Sequence, residues 1–117
     1  NYAIVNSLDG YDEISLTSET RIATNHKEYV LSPSDFGMRN IQPEKLFGGN
    51  TVEEAASIFT NILEGKGTIE QNIVVIANAA IGLNVFYPDK ELLECVEIAK
   101  ESLESRKALE KLKKVTA

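Results

Sequence analysis

Apolar positions fall into two regimes along this chain. Before about residue 32 they come in short, β-rich runs, and from residue 51 they recur at helical spacing. The run Tyr2-Ala3-Ile4-Val5 predicts a buried strand. Residues 20–24 and 29–31 predict two more short strands, joined by Asn25-His26-Lys27 as a hairpin turn. Between the first and second strands, Ser7-Leu8-Asp9-Gly10-Tyr11-Asp12-Glu13 reads as a loop, since Gly10 tolerates a left-handed turn and the acids have little reason to be buried.

Ser32-Pro33-Ser34-Asp35 starts a helical turn that Gly37 ends, and Pro43-Glu44-Lys45-Leu46 repeats this on a small scale. After the flexible break Gly48-Gly49-Asn50 come three main helices. The first opens on the capping box Thr51-Val52-Glu53-Glu54 and runs to about Glu64, with Ala55, Ile58, Phe59, Ile62 and Leu63 on one face. The second opens on Thr68-Ile69-Glu70-Gln71. It is apolar almost all round from Ile73 to Tyr87, with Asn72, Asn78 and Asn84 as the main polar exceptions, and Pro88 stops it. A stretch that apolar predicts a helix covered on most sides by other elements, and it is short for a membrane span. The third begins near Asp89 and buries Leu92, Val96, Ala99 and Leu103; a helical tail from Ala108 follows an irregularity near Ser105.

This order predicts an α/β or α+β class in one unit, residues 1–117. Strands, the acidic loop and the hairpin occupy 1–32, and 33–117 is mainly helical. Three short strands cannot cover so much apolar helix. Together with the abrupt start at Asn1, this predicts a fragment whose sheet is completed by residues upstream.

Composition narrows the function classes. A net charge of −6 argues against a nucleic-acid module, which needs a dense basic face. Residues 100–117 are net basic, but Lys111, Lys113 and Lys114 sit at a helix C-terminus, where cations suit the dipole. The single cysteine, Cys95, allows no internal disulfide and fits a reducing compartment.

Asp12-Glu13 is the clearest candidate for chemistry. Adjacent carboxylates on a loop after a strand offer hard oxygen ligands of the kind magnesium takes, at the strand end where α/β proteins gather ligands. The same pair also reads as a solvated loop. Other residues have bland readings. His26 sits at a hairpin tip without a partner. Cys95 lacks a polarising neighbour, and Gly48-Gly49 lacks the lysine or serine of a P-loop. Asn78 and Asn84 are expected to bond to neighbouring backbone. Tyr11 either covers the acidic loop or packs against it.

Several segments carry a resemblance. Asp9-Gly10-Tyr11-Asp12-Glu13-Ile14-Ser15, Leu31-Ser32-Pro33-Ser34-Asp35-Phe36-Gly37, Leu46-Phe47-Gly48-Gly49, Leu63-Glu64-Gly65-Lys66-Gly67 and Ala77-Asn78-Ala79-Ala80 occur in this order. The set resembles the C-terminal part of the α/β domain of the anthranilate phosphoribosyltransferase family, over essentially the whole chain. The resemblance implies a phosphoribosyltransferase/nucleoside-phosphorylase-like fold. It implies transfer of phosphoribosyl from phosphoribosyl pyrophosphate to anthranilate in tryptophan biosynthesis, with Asp12 and Glu13 placing Mg2+ on the pyrophosphate. It further implies a cytoplasmic, homodimeric parent enzyme. The acidic body and the length of the apolar helix predict no nucleic-acid or membrane partner, the lack of a phosphate-binding loop predicts that the isolated fragment is inactive, and apolar surface on the second helix or first strand predicts that it self-associates. The resemblance assigns no catalytic side chain here, and substrate-binding residues are expected upstream. This chain departs from the family pattern at Ser18-Glu19, where Gly-Pro is common, at Ala55, where asparagine is common, and at Arg106, where glycine is frequent. A pyrimidine nucleoside phosphorylase-like enzyme of related fold and a non-catalytic acidic interaction module are the alternatives.

Overall fold

The computed structural model describes residues 1–117. Strands β1 (Ala3–Ser7), β2 (Thr20–Thr24) and β3 (Glu28–Leu31) form one antiparallel sheet in the order β1-β2-β3. The register sets Ser7 opposite Thr20 and Thr20 opposite Leu31, so the buried Thr20 lies in the middle of three strands. The hairpin turn falls where the sequence places it. Thr24 Oγ1 accepts from the backbone N–H groups of His26 and Lys27 at 3.2 and 3.1 Å, leaving His26 exposed at the tip.

Burial of the first strand differs from expectation. Ile4 is 64% exposed, and side chains along β1 alternate between covered and open. β1 pairs only with β2, so its outer edge carries unpaired backbone groups, with no charged residue to discourage pairing with another strand.

Two short 3-10 helices, Pro33–Phe36 and Pro43–Leu46, follow the sheet. In the first, the Asp35 carboxylate accepts the Ser32 N–H at 2.7 Å, and Gly37 at φ 70° closes the turn. Helices α1 (Val52–Leu63), α2 (Ile69–Phe86), α3 (Leu92–Glu104) and α4 (Lys107–Thr116) complete the chain. At α2 the capping box is reciprocal: Thr68 Oγ1 accepts from Gln71 N–H at 3.1 Å and Gln71 Oε1 accepts from Thr68 N–H at 2.9 Å. At α1 it is displaced by one residue, because Glu54 Oε2 takes the N–H of Asn50, not of Thr51, at 2.6 Å. α3 starts at Leu92, later than the expected Asp89. A turn intervenes, in which Lys90 N–H donates to the Tyr87 carbonyl at 3.1 Å.

The core forms where α2 packs along α3. Ile76, Ala77, Ala80 and Ile81 of α2 join Cys95, Val96, Ala99 and Leu103 of α3 in one cluster, which continues through Ile14 and Leu16 of the acidic loop to Ile22 of β2. Coverage is thinner than the helical pattern predicts. α1 buries only Ile62 and Leu63, and Phe59 on its expected face is 53% exposed. α2, expected to be covered on most sides, leaves Ile69 67% and Phe86 75% exposed. The reason is stoichiometric: α2 meets α3 and the inner end of the sheet, and the chain has no further layer for its other faces. By length and composition α2 is apolar enough to cross a membrane, yet Asn78 at its middle is tied to the loop after β1.

Arg106 joins α3 to α4 in the left-handed region, at φ 70°. A side chain there costs about 1–2 kcal/mol, which explains why glycine suits this position. The guanidinium recovers part of that cost by donating to the Glu104 and Leu103 carbonyls at 3.0 and 3.4 Å while lying against Gly65, itself at φ 82°. A Cβ at Gly65 would run into Arg106 Nη2. Gly65→Ala is therefore expected to destabilise the protein by about 1–3 kcal/mol. Arg106→Gly in the same molecule should restore part of that loss, leaving only the backbone penalty at residue 65. Urea denaturation of the two single variants and the double variant measures this coupling.

Tyr29 of β3 is half-buried, and burial pushes its phenol above the ordinary value of 10.0. The unfolded chain then loses this proton at lower pH than the folded chain. Its contribution to stability is complete below pH 10 and falls as pH rises through the folded-state value. The stability difference between the wild type and Tyr29→Phe, followed by denaturation from pH 8.5 upward, should stay flat to about pH 10 and then narrow.

Candidate metal centre

The acidic loop leaves β1 at Ser7 and returns to β2 at Thr20, and buried hydroxyls hold it from inside. Ser7 N–H donates to the Tyr11 carbonyl at 2.9 Å, and Gly10 N–H donates to the Ser7 carbonyl at 3.0 Å. Gly10, at φ 108°, makes the reversal that lifts residues 11–13 away from the strand. Ser7 Oγ donates to the Glu13 carbonyl at 2.7 Å and lies 3.1 Å from Ser15 Oγ and 3.4 Å from Thr20 Oγ1. Ser15 Oγ in turn sits 2.7 Å from Thr17 Oγ1, which donates to Asp9 Oδ2 at 2.5 Å. Ser7, Ser15 and Thr20 are each 1% exposed. Their chain of hydroxyls satisfies polar groups that no water reaches.

The far side of the loop is held by α2. Asn78 Oδ1 accepts the Ile14 N–H at 3.0 Å, and Asn78 Nδ2 donates to the Ile14 carbonyl at 2.8 Å and to the Val74 carbonyl at 2.9 Å. Ile14 and Leu16, almost fully buried, drive the loop into the core between these anchors. Leu16 stands at φ 62°, and its carbonyl accepts the Ile41 N–H at 2.9 Å, which binds the loop to the segment after the first 3-10 helix. Asn84, the other helical asparagine, donates to the Lys90 carbonyl at 2.9 Å and fixes the turn before α3. Both asparagines bond to backbone, as expected.

The side chains of Asp12 and Glu13 point outward from this frame. Both residues are exposed, and neither carboxylate takes a hydrogen bond or an ion pair within the chain. The nearby Asp9 differs, since its carboxylate is engaged by Thr17. Up to four unengaged carboxylate oxygens on one rigid loop suit a hard divalent cation. No cluster of three or more His, Cys, Asp or Glu side chains forms here. Within this chain the pair stands without a third such side chain. Glu13 lies at the rim of a cleft of about 190 Å³ that Tyr11, Leu46, Phe47 and Gly48 also line. Tyr11 is half-buried beside the acids.

A larger cleft lies elsewhere. It measures about 480 Å³, between the hairpin tip and the α2–α3 turn, and His26, Lys27, Asn84, Asp89 and Lys90 are among its residues. Its cations are offset by acids, Lys90 is already paired with Glu94 at 3.0 Å, and His26 meets only Asn25. Cys95 is fully buried in the α2–α3 contact, a packed thiol. The sequence singled out Asp12, Glu13 and Asn78, and the structure brings the first two onto a loop that the third anchors. It does not signal the Ser7–Ser15–Thr20 network. Serine and threonine near strand ends are common; the register sets Ser7 opposite Thr20, and only the fold of the loop brings Ser15 to them.

Residues 1–109 match the glycosyl transferase family, a/b domain. The anthranilate phosphoribosyltransferase of Phocaeicola vulgatus is 51% identical over 113 residues, which is 97% of this chain and 34% of that protein. The protein of the same name from Flavobacterium johnsoniae is 50% identical over 115 residues, covering 98% and 34%. Among solved structures, anthranilate phosphoribosyltransferase from Thermus thermophilus superposes with a TM-score of 0.82 at 28% identity, covering 96% of this chain and 33% of that one. The Saccharomyces cerevisiae enzyme in complex with PRPP and Mg superposes with a TM-score of 0.79 at 26% identity, covering 95% and 32%. The chain thus spans about a third of the length of the curated relatives it matches.

Proposed function

The chain belongs to the glycosyl transferase family, a/b domain, and from that premise we propose that it is the C-terminal third of an anthranilate phosphoribosyltransferase in which Asp12 and Glu13 hold magnesium. The observation that carries this reading is a pair of unengaged carboxylates on an immobilised loop, in a chain 51% identical to a protein of that name. Magnesium is present with PRPP in the similar yeast structure. The donor set here is all oxygen and leaves most of the coordination sphere to water, phosphate oxygens and residues outside this chain.

In the proposed reaction the anthranilate nitrogen forms a bond to the anomeric carbon of phosphoribosyl pyrophosphate as the bond from that carbon to pyrophosphate breaks. When bound, the ion supplies charge neutralisation on the departing oxygens. Asp12 and Glu13 place it and take no proton. Unaided, two carboxylates would repel a pyrophosphate, so their contribution depends on the cation between them. The chain's glycines at 48 and 49 have no accompanying lysine, and the groups that bind phosphate and anthranilate belong to the remaining two thirds of the parent. The isolated chain is accordingly inactive. The parent is a cytoplasmic enzyme of tryptophan biosynthesis. It is a homodimer, with the dimer contact outside this segment. The isolated chain self-associates through the uncovered faces of β1 and α2.

In the full-length protein, Asp12→Asn and Glu13→Gln, made together, are expected to lower kcat/KM for phosphoribosyl pyrophosphate by at least about 100-fold. That corresponds to roughly 3 kcal/mol of lost transition-state stabilisation. Anthranilate consumption at varied magnesium checks this. A doubly substituted enzyme that keeps wild-type turnover and an unchanged magnesium requirement would refute the assignment.

A further inference from the structure

We infer that Asn78 of α2 and Ser7 of β1 are positioning residues for the acidic pair, acting by fixing the single peptide unit that follows Glu13. The inference deepens the magnesium reading and rests on it. The Glu13–Ile14 peptide has one carbonyl and one N–H. Ser7 Oγ donates to the carbonyl at 2.7 Å and Asn78 Oδ1 accepts the N–H at 3.0 Å, so both ends of that plane are held, one from the sheet and one from the helix. The next carbonyl, of Ile14, is held by Asn78 Nδ2 at 2.8 Å. The backbone torsions on either side of the plane are thereby set, and the Glu13 side chain leaves from a fixed point.

The orientation of the amide is determined by its partners. Nδ2 serves two carbonyls, those of Ile14 and Val74, while Oδ1 serves an N–H. With oxygen and nitrogen exchanged, Oδ1 would confront two carbonyls and Nδ2 would confront a donor. No other uncharged side chain of that length presents an acceptor and a two-hydrogen donor side by side. This accounts for an asparagine in the middle of a helix that is otherwise almost wholly apolar. Groups that orient metal ligands without touching the ion commonly change affinity by about 10–100-fold when removed.

Asn84 provides the control. It lies on the same helix and makes the same kind of bond, from Nδ2 to the Lys90 carbonyl at 2.9 Å, but its partner is the α2–α3 turn and not the acidic loop. The test is Mn2+ titration, read by electron paramagnetic resonance, of the full-length protein that contains this chain. Amide hydrogen exchange at Ile14 is followed without metal. Asn78→Ala and Ser7→Ala are each expected to weaken Mn2+ binding at least about tenfold and to speed Ile14 exchange, whereas Asn84→Ala leaves both unchanged. Should Asn78→Ala not fold, Ser7→Ala releases the other end of the same peptide and carries the test. Wild-type Mn2+ affinity in both variants, or equal weakening by Asn84→Ala, overturns the inference. Unchanged affinity in Asp12→Asn/Glu13→Gln is a different result. It overturns the magnesium reading itself, and the positioning role with it.

Discussion

A peptide group inside a protein must find hydrogen-bond partners, and the one after Glu13 has no strand beside it. Its partners come instead from Ser7, at the end of β1, and from Asn78, 64 residues beyond Ile14. Because those two side chains belong to the sheet and to the central helix, satisfying one peptide also fixes how sheet and helix sit against each other. Ile14 and Leu16 then have only one place to go, into the cluster that α2 and α3 share. The buried hydroxyls and the anchored loop meet at this one peptide.

That arrangement accounts for a division within the chain. Burial is dense around the loop, where Ile14, Ser15, Leu16 and Ile22 are at most 1% exposed, and sparse at both ends of α2 and along the start of α1. The chain spans about a third of its relatives' length. Its best-formed region is the part that orients the acidic pair, and its least-formed surfaces are the apolar faces for which it has no covering layer. An apolar surface of this kind is costly to leave in water at roughly 25 cal/mol per Å².

Much of this was legible in the residues. Helix starts at Thr51 and Thr68, the hairpin about Asn25 to Lys27, the stop at Pro88 and the break before α4 follow from local rules, because capping and turn chemistry act over three or four residues. Burial was less legible. Ile4 and Phe59 carry the apolar signature of core positions, yet whether such a side chain is covered depends on what lies opposite, which periodicity does not encode. Asn78 shows the boundary well. Its type in an apolar helix signalled a buried hydrogen bond, but its partner could be found only from the fold. Ser7, Ser15 and Thr20 gave no such signal, since their convergence depends on strand register for two of them and on the path of the loop for Ser15. Arg106 gave a signal of another kind, a departure from a family pattern in which glycine is frequent, and the structure places it at φ 70°.

The frame beneath the acidic pair consists almost entirely of uncharged groups: one amide, four hydroxyls and main-chain atoms, with Asp9 only at its margin. Neutral hydrogen bonds shielded from solvent respond little to ionic strength or to acidity near neutrality, whereas the attraction of exposed carboxylates for a cation is screened within about 10 Å at 0.1 M salt. Shape and affinity are thus governed by different variables. A change in ionic strength therefore alters the field around the exposed pair, while the loop that carries it keeps its shape.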